Sequence, residues 1–194
     1  NIMGYKTMDA NEAVSRVSYK FTEIAGIYPI TPASPMAEKV DVLASKGEIN
    51  FWGNKVKVIE MESEKGAIAT VHGALQAGVL ATTYTASQGL LLMIPSIYKM
   101  AGEMLPGVIH VAARSLSTHS LSIFGDHQDI YAVRQTGACM LSSSSVEEAY
   151  HMAMVSHLAS IKSSLPFINF FDGFRTSHEI DKVKEIDLSK LETL

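Results

Sequence analysis

The chain has 194 residues, 47% of them hydrophobic and 19% charged, which suits one domain with a sizeable core and is untypical of a disordered protein. Its net charge of -4 provides no basic surface for nucleic acid or anionic lipid. The single cysteine, Cys139, excludes an intramolecular disulfide and an iron–sulfur cluster held by this chain alone. No segment has the pattern of a signal peptide or a membrane span, so we expect a cytoplasmic protein.

The first predicted elements are a helix, a short strand and a second helix. Asp9 stands three positions before Glu12, which is the spacing of a capping box at a helix start. The apolar run AGIYPI then predicts a buried strand. Ser34 and Pro35 have the pattern of an N-cap followed by proline in the first turn, and the helix is expected to run to about Leu43.

Strands and helices go on alternating along the rest of the chain. The predicted strands are VKVIE, VLATTYTA, GVIHVAA, ACMLSS and PFINFF, and the intervening helices begin at SEKGA, SQGLL, DHQDI and SVEEA. The strands are apolar on both faces, which is typical of a parallel sheet covered on both sides. We therefore predict an α/β three-layer sandwich with a mostly parallel sheet and helices on both faces.

Small residues dominate one side of the predicted helix SEKGAIATVHGALQAG. Because glycine inside a helix is unfavourable, this pattern predicts that another backbone approaches closely. At the ends of the chain, residues 1–7 are expected to be a tag remnant or N-terminal extension. Residues 8–179 form the predicted domain, and the charged residues 180–194 are expected to begin a linker to a following domain.

Polar side chains follow the predicted strands, where ligands bind in open parallel sheets. They are Thr31, Glu62, Ser63, Glu64, Ser87, Gln88, Arg114, Ser115 and Asp172, and the glycines Gly89 and Gly173 stand next to them. A hydroxyl, a carboxylate, an amide and a guanidinium at one edge would suit a small, planar, partly anionic ligand. Each also has a structural explanation, since Thr31 can cap a turn, an acid at Glu64 suits the helix dipole, and arginines form surface ion pairs.

Other candidate sites in the sequence are weaker. Ser87 lacks the glycine two positions earlier that a hydrolase nucleophile elbow needs. His119, Asp126 and His127 match no established metal-ligand spacing, and Asp126 is expected to cap a helix instead. FFDGF has Phe171 where a G-D-G metal-binding motif would have its first glycine, so no metal site is expected in this chain.

Six stretches, in order, carry a family resemblance: IYPITPASPMAE, VIEMESEKGA, VHGALQAGVLATTYTASQGLLLMIPSIYKMAGE, HVAARSL, SIFGDHQD and FFDGFRTSHE. From about Met8 to Glu179 the chain resembles the amino-terminal domain of the pyruvate:ferredoxin (flavodoxin) oxidoreductase family. The resemblance implies a thiamine diphosphate-binding fold in which residues 8–179 are the pyrimidine-binding catalytic domain. A different domain binds the diphosphate and its Mg²⁺ in that family.

The resemblance also implies residue roles. Glu64 matches the glutamate that hydrogen-bonds the pyrimidine ring nitrogen, where sharing a proton favours the imino form of the ring. Thr31 matches a residue that hydrogen-bonds the substrate, and Arg114 matches the arginine that pairs with the pyruvate carboxylate. Cofactor contacts are further implied for Pro29, and less directly for Ser87 and Gln88.

The activity implied by the resemblance is that of an oxidoreductase of pyruvate metabolism. Pyruvate is oxidatively decarboxylated with coenzyme A to acetyl-CoA and CO2, and [4Fe-4S] clusters in other domains pass electrons to ferredoxin or flavodoxin. Such an enzyme is associated with anaerobic metabolism and electron transport and is expected to be a homodimer, with no nucleic-acid or membrane partner. This chain alone would hold half a cofactor site, so we expect the fragment to be inactive by itself.

Two alternatives stay open at this stage. The same role could serve an oxidoreductase for another 2-oxo acid, because Thr31 and Arg114 would contact features that all 2-oxo acids share. The domain could instead be degenerate and non-catalytic, serving assembly or binding a nucleotide.

Overall fold

The computed structural model describes the backbone of residues 2–194 and the side chains of residues 4–194. The described strands are β1 (Ile2–Met8), β2 (Ile24–Ile27), β3 (Lys57–Glu60), β4 (Ala81–Thr85), β5 (Val108–Ala113), β6 (Cys139–Ser143), β7 (Phe167–Asp172) and β8 (Asp181–Ile186). The α-helices are α1 (Ala10–Phe21), α2 (Ser34–Ser45), α3 (Glu64–Gln76), α4 (Ser87–Leu92), α5 (Ile94–Gly102), α6 (Gln128–Val133) and α7 (Val146–Ser163). A 3₁₀ helix covers Leu188–Thr193.

Six strands form one sheet in the order β3-β2-β4-β5-β7-β6, and every neighbouring pair is parallel. The chain leaves β2 towards β3 on one side and then returns to β4 on the other side. The strand order therefore reverses around β2, which is the position where ligands bind in open α/β sheets. The α/β prediction is confirmed.

The helices cover both faces of this sheet with separate apolar cores. One core joins α1, α2 and α7, and the other joins α3, α4, α5 and α6. Strand β5 shows how the two faces divide, since Ile109 and Val111 pack into the second core while Ala112 packs into the first. A strand buried on both sides needs apolar residues at consecutive positions, and this explains the unbroken apolar runs in the sequence.

The predicted helix cap at Asp9 is confirmed, and the one predicted at Ser34 is not. Asp9 Oδ1 accepts a hydrogen bond from the Glu12 amide at 2.8 Å, and Ser145 caps α7 in the same way. The predicted cap at Ser34 is wrong, because Ser34 is already the first residue of α2 and Ala33 precedes it without a side-chain cap. A backbone turn replaces the cap, since the Ile30 carbonyl accepts from the amides of both Ala33 and Ser34.

The region predicted as one helix from Ser87 forms two helices, α4 and α5, that meet at Met93. Pro95 lies in the first turn of α5, where its missing N–H leaves no helical hydrogen bond unmade. None of the helices in the described part of the chain is both long and apolar enough to cross a membrane.

The predicted close backbone approach is present, but a strand glycine permits it. A Cβ on Gly26 of β2 would lie 2.6 Å from the Ala67 carbonyl oxygen of α3. By contrast, a Cβ on Gly73 of α3 would meet nothing within 4 Å. The helix therefore packs tightly on β2 through its Ala67 end, and Gly73 has no packing requirement.

The two ends of the described chain pair with each other. Strand β1 forms an antiparallel two-stranded sheet with β8, and Val183 of β8 is fully buried in the first core. Residues 2–7 and 181–186, predicted as an extension and a linker, are therefore ordered strands; residue 1 lies outside the described part. The domain boundaries at 8 and 179 stay predictions.

Two buried histidines lie between the sheet and its first helical layer. His110 Nε2 and His157 Nε2 are 3.0 Å apart, and Phe21 stacks on the His157 ring. Burial lowers the pKa of His157 to about 3, and burial with the neighbouring His157 lowers the pKa of His110 well below 6.5. Both rings are therefore neutral in the folded protein near neutral pH.

This pair predicts acid sensitivity of folding. The unfolded chain protonates both histidines below about pH 6.5, but the folded chain does not, so stability present above that pH is lost as the pH falls. Between about pH 7.5 and 5.5, urea unfolding should show a loss of about 1 kcal/mol per histidine. His157→Gln should remove about half of this loss, whereas His119→Gln on the exposed loop should leave it unchanged. An identical pH dependence in His157→Gln and the unmodified chain would contradict the interpretation.

Candidate functional site

Five neighbouring strands end at the same edge of the sheet, and each is followed by a polar side chain. Along this edge the residues are Glu64 after β3, Thr31 after β2, Ser87 after β4, Arg114 after β5, and Asp172 at the end of β7. Parallel strands emerge at one edge, so residues far apart in sequence are brought together here. The predicted site residues therefore share one edge of the molecule.

Arg114 links the loops that follow β2 and β5. Its side chain is largely buried at 7% exposure, and its Nη1 donates to the Thr31 carbonyl at 3.0 Å. Its Nε donates to the Ser122 carbonyl at 3.1 Å. No acceptor within the described residues bonds to Nη2. Arg114 therefore holds Thr31 in place through its backbone and still has unused donors.

Ser87 and Gln88 lie at the same edge but face the loop after β5. The Ser87 hydroxyl donates to the Ser115 carbonyl at 2.7 Å, and Gln88 Nε2 donates to the Ser117 carbonyl at 2.9 Å. Their polar groups therefore fasten two loops together. This arrangement gives them a structural role in addition to the cofactor contact that the sequence predicted.

Asp129 is a member of this edge that the sequence analysis missed. Its fully buried carboxylate accepts hydrogen bonds from the Ser87 amide at 2.8 Å and the Arg114 amide at 3.0 Å. Burial raises the pKa of Asp129, and the hydrogen bonds from backbone amides oppose that rise. One sequence feature could have indicated that Asp129 is buried: it lies on the apolar side of a short helix, next to Ile130 and four residues before Val133.

Glu64 is the first residue of α3, and it is largely buried while its carboxylate oxygens keep some access to solvent. Ser63 caps this helix by accepting from the Gly66 amide at 3.1 Å. The Glu64 side chain is 8% exposed, yet no donor among the described residues hydrogen-bonds to it. A largely buried acid without a donor is unusual, because buried carboxylates are normally paired.

Gly89 leaves the space into which Glu64 extends. A Cβ at Gly89 would lie 2.7 Å from Glu64 Cγ and 2.5 Å from Thr85 Oγ1. The Thr85 hydroxyl is buried and also has no hydrogen-bond partner in the described part of the chain. The absence of a side chain at Gly89 therefore lets the Glu64 side chain pack against Thr85 at the end of β4.

The prolines of the opening loop divide into exposed and packed positions. Pro29 is exposed, and Tyr28 beside it is 37% exposed. Pro32 is buried, its carbonyl accepts from Asn11 Nδ2 at 3.0 Å, and a Cβ on Gly173 would lie 2.6 Å from its ring. Pro32 therefore anchors the loop, while Pro29 is free to contact a ligand.

The loop that contains Asp126 and His127 makes hydrogen bonds that stabilise the fold. Asp126 Oδ1 accepts from the Gln128 amide at 2.9 Å at the start of α6, as the sequence predicted. His127 Nε2 lies 2.7 Å from Asp172 Oδ1. Among the described residues, no three histidine, cysteine or acidic side chains cluster as a metal ion would require.

A sequence profile described as "Pyruvate flavodoxin/ferredoxin oxidoreductase, thiamine diP-bdg" matches residues 16–194. The chain belongs to this family. The resemblance seen in the sequence is therefore confirmed, and the family description supports thiamine diphosphate as the bound cofactor.

The relatives that this chain matches are much longer than the chain itself. The Klebsiella pneumoniae pyruvate-flavodoxin oxidoreductase is 61% identical over 189 residues, which cover 97% of this chain and 16% of the relative. The Moorella thermoacetica pyruvate:ferredoxin oxidoreductase is 58% identical over 192 residues, with coverages of 97% and 16%. The chain thus spans about one sixth of the length of these relatives.

A solved structure shares the fold of this family member. The 2-oxoglutarate:ferredoxin oxidoreductase from Magnetococcus marinus matches with a TM-score of 0.83 and 22% identity. The match covers 96% of this chain and 32% of that one. At this identity the likeness supports the parallel α/β architecture and nothing finer.

A matched pair of glycine substitutions tests the geometry around Glu64. Gly89→Ala should lower the free energy of unfolding by about 1–3 kcal/mol, because the new methyl group collides with Thr85 and Glu64. Gly73→Ala, also in a helix but facing open space, should raise it by about 0.5–1 kcal/mol. Chemical denaturation of both variants measures the difference. Equal effects in the two variants would show that Gly89 is not tightly packed.

Proposed function

We propose that this chain is the pyrimidine-binding half of a thiamine diphosphate-dependent oxidoreductase that oxidatively decarboxylates pyruvate. The carrying observation is Glu64, a residue only 8% exposed whose carboxylate accepts no hydrogen bond from the described residues and lies beside Gly89 at the carboxyl edge of the sheet. High identity to pyruvate oxidoreductases over nearly the whole chain supports the choice of reaction.

Glu64 is proposed to hold a proton against the ring nitrogen of the aminopyrimidine. A carboxylate with no protein donor is available for a strong, charge-assisted hydrogen bond to a ring N–H. Thiamine diphosphate, when bound, supplies the electron sink for decarboxylation, while the protein orients it and sets its protonation. Gly89 makes room for the Glu64 side chain itself, and exposed Pro29 is proposed to line the approach of the cofactor.

Arg114 and Thr31 are proposed to hold the substrate. The unused donors of Arg114 Nη2 suit the carboxylate of a 2-oxo acid, because guanidinium and carboxylate pair in a planar fork. The Thr31 carbonyl is already engaged by Arg114 Nη1 at 3.0 Å, so its exposed side chain stays close to the same guanidinium. The Thr31 hydroxyl would hydrogen-bond near the reacting carbon.

The complete enzyme would supply what this chain lacks. A domain for the diphosphate and Mg²⁺, [4Fe-4S] clusters, and sites for coenzyme A and for ferredoxin or flavodoxin are expected elsewhere in the protein. The single Cys139 cannot ligate a cluster. We further propose that the complete enzyme is a cytoplasmic homodimer. The isolated fragment is expected to have no turnover.

A second candidate is the same reaction on another 2-oxo acid. The solved 2-oxoglutarate:ferredoxin oxidoreductase has the same fold at 22% identity, so the fold by itself does not decide between substrates. Arg114 and Thr31 would contact only the carboxylate and oxo groups common to these acids. Steady-state rates of the full-length protein with pyruvate, 2-oxobutyrate and 2-oxoglutarate separate the two candidates, and we expect pyruvate to have the highest kcat/KM.

The Glu64 proposal predicts that substituting Glu64 lowers activity strongly, whereas substituting the nearby Glu62 does not. In the full-length protein, Glu64→Gln should lower kcat by at least about 100-fold, because the proton acceptor is removed while the shape is kept. Glu62→Gln, two residues earlier and exposed, should retain near-normal kcat. Calorimetry should also show weaker thiamine diphosphate binding in Glu64→Gln. Normal turnover in that variant would remove Glu64 from the mechanism, and no cofactor binding by the unmodified protein would favour the degenerate domain.

The Arg114 proposal predicts an effect mainly on KM. Arg114→Lys in the full-length protein should raise the KM for pyruvate about tenfold or more, since an ammonium group cannot make the bidentate contact. Arg134→Lys on the exposed end of α6 is the control and should leave KM unchanged. An unchanged KM in Arg114→Lys would place the substrate carboxylate elsewhere.

A further inference from the structure

Asp129 is the most completely buried acid in the described chain, and it lies beneath the edge where the site is proposed. The side chain has no solvent exposure. Oδ2 accepts from the Ser87 amide at 2.8 Å and the Arg114 amide at 3.0 Å, and Oδ1 accepts from the Ile130 amide at 2.8 Å. Three amide donors therefore converge on a single carboxylate.

The two strands joined in this way are neighbours in the sheet. Strand β4 pairs in parallel with β5, and Ser87 and Arg114 are the first polar residues after their respective ends. Asp129 Oδ2 thus links the two chain exits directly, through main-chain atoms. Any shift of this carboxylate would move the backbone from which the Arg114 side chain extends.

Ser87 gives a reason why this link has to be strong. Its φ of 51° lies in the left-handed region, which is unfavourable for a residue with a side chain. Such a conformation persists when the surroundings over-determine it. The Asp129 bond to the Ser87 amide and the Ser87 hydroxyl bond to the Ser115 carbonyl at 2.7 Å supply that constraint.

Only a carboxylate satisfies all three donors. The amide of an asparagine offers one oxygen, and its NH2 group would face an amide N–H as a second donor. An unsatisfied buried N–H destabilises the position that it belongs to. Position 129 therefore requires the charge and the two oxygens of a carboxylate, and a side chain of the same size is not sufficient.

We propose that Asp129 is a positioning residue that sets substrate affinity by fixing the backbone of Arg114 relative to Ser87. This inference rests on the proposed role of Arg114 in holding the substrate carboxylate. The guanidinium bridges to the Thr31 carbonyl at 3.0 Å, so a displaced Arg114 backbone would also release the loop that carries the substrate hydroxyl contact. Asp129 itself, fully buried, touches no ligand.

The test is a double-mutant cycle in the full-length protein. Asp129→Asn should raise the KM for pyruvate at least about fivefold, with a smaller change in kcat, because small displacements of a binding group are costly. Arg114→Gln should raise KM by itself. Adding Asp129→Asn to Arg114→Gln should raise KM little further, since both changes act through one guanidinium.

Asp126→Asn is the matched control. Asp126 is three residues earlier, exposed, and caps only the Gln128 amide, so its substitution should leave KM unchanged. Melting temperatures measured in parallel separate positioning from folding. A lower melting temperature or kcat in Asp129→Asn without a rise in KM would assign a purely structural role and overturn the inference.

The remaining outcomes are also decisive. An unchanged KM in Arg114→Gln would reject the proposed substrate role of Arg114, and a KM effect of Asp129→Asn that adds fully to that of Arg114→Gln would reject the inference alone. Should Asp129→Asn not fold, Asp129→Glu keeps the charge but shifts the carboxylate by one methylene, and it is expected to raise KM in the same way. Failure of both variants to fold would overturn the positioning role.

Discussion

The common direction of six strands is the constraint on which the rest of the molecule depends. Because every strand of the main sheet is parallel to its neighbours, the loops after β3, β2, β4, β5 and β7 all emerge at one edge. Residues separated by 83 positions, Thr31 and Arg114, are consequently joined by a direct hydrogen bond. The separate helical layers on the two faces keep the sheet buried between two apolar cores.

Polar contacts at the edge are long-range and involve the main chain. Arg114 bonds to the Thr31 carbonyl, Gln88 bonds to the Ser117 carbonyl, and Asp129 accepts from two strand exits. Because one partner in each bond is a main-chain group, these bonds fix the positions of the loops, and Arg114 Nη2 still has no acceptor among the described residues. Unlike these groups, Glu64 is a largely buried acid whose carboxylate accepts no hydrogen bond from any described residue.

Local features were the ones that the sequence predicted well. The cap at Asp9 and the strand ends that precede Glu64 and Arg114 follow from spacing and apolar runs. Contacts between distant segments were missed, above all those of Asp129, because a single acid in a short helix has no distinctive spacing. The pairing of β1 with β8 was also missed, since DKVKEI has charged residues at four of six positions and lacks the strict alternation that predicts a strand. The residue roles came from family resemblance, and geometry alone would have suggested only a small planar anion.

The convergence of an acid, a hydroxyl and a guanidinium on one ligand is the central claim. It is tested most directly by a crystal structure of the full-length protein with thiamine diphosphate and pyruvate bound. The account predicts a Glu64 oxygen at hydrogen-bond distance, about 2.6–3.0 Å, from the pyrimidine ring nitrogen, with the Arg114 guanidinium on the pyruvate carboxylate. A pyrimidine ring bound away from Glu64, or a substrate carboxylate held by another cation, would contradict it.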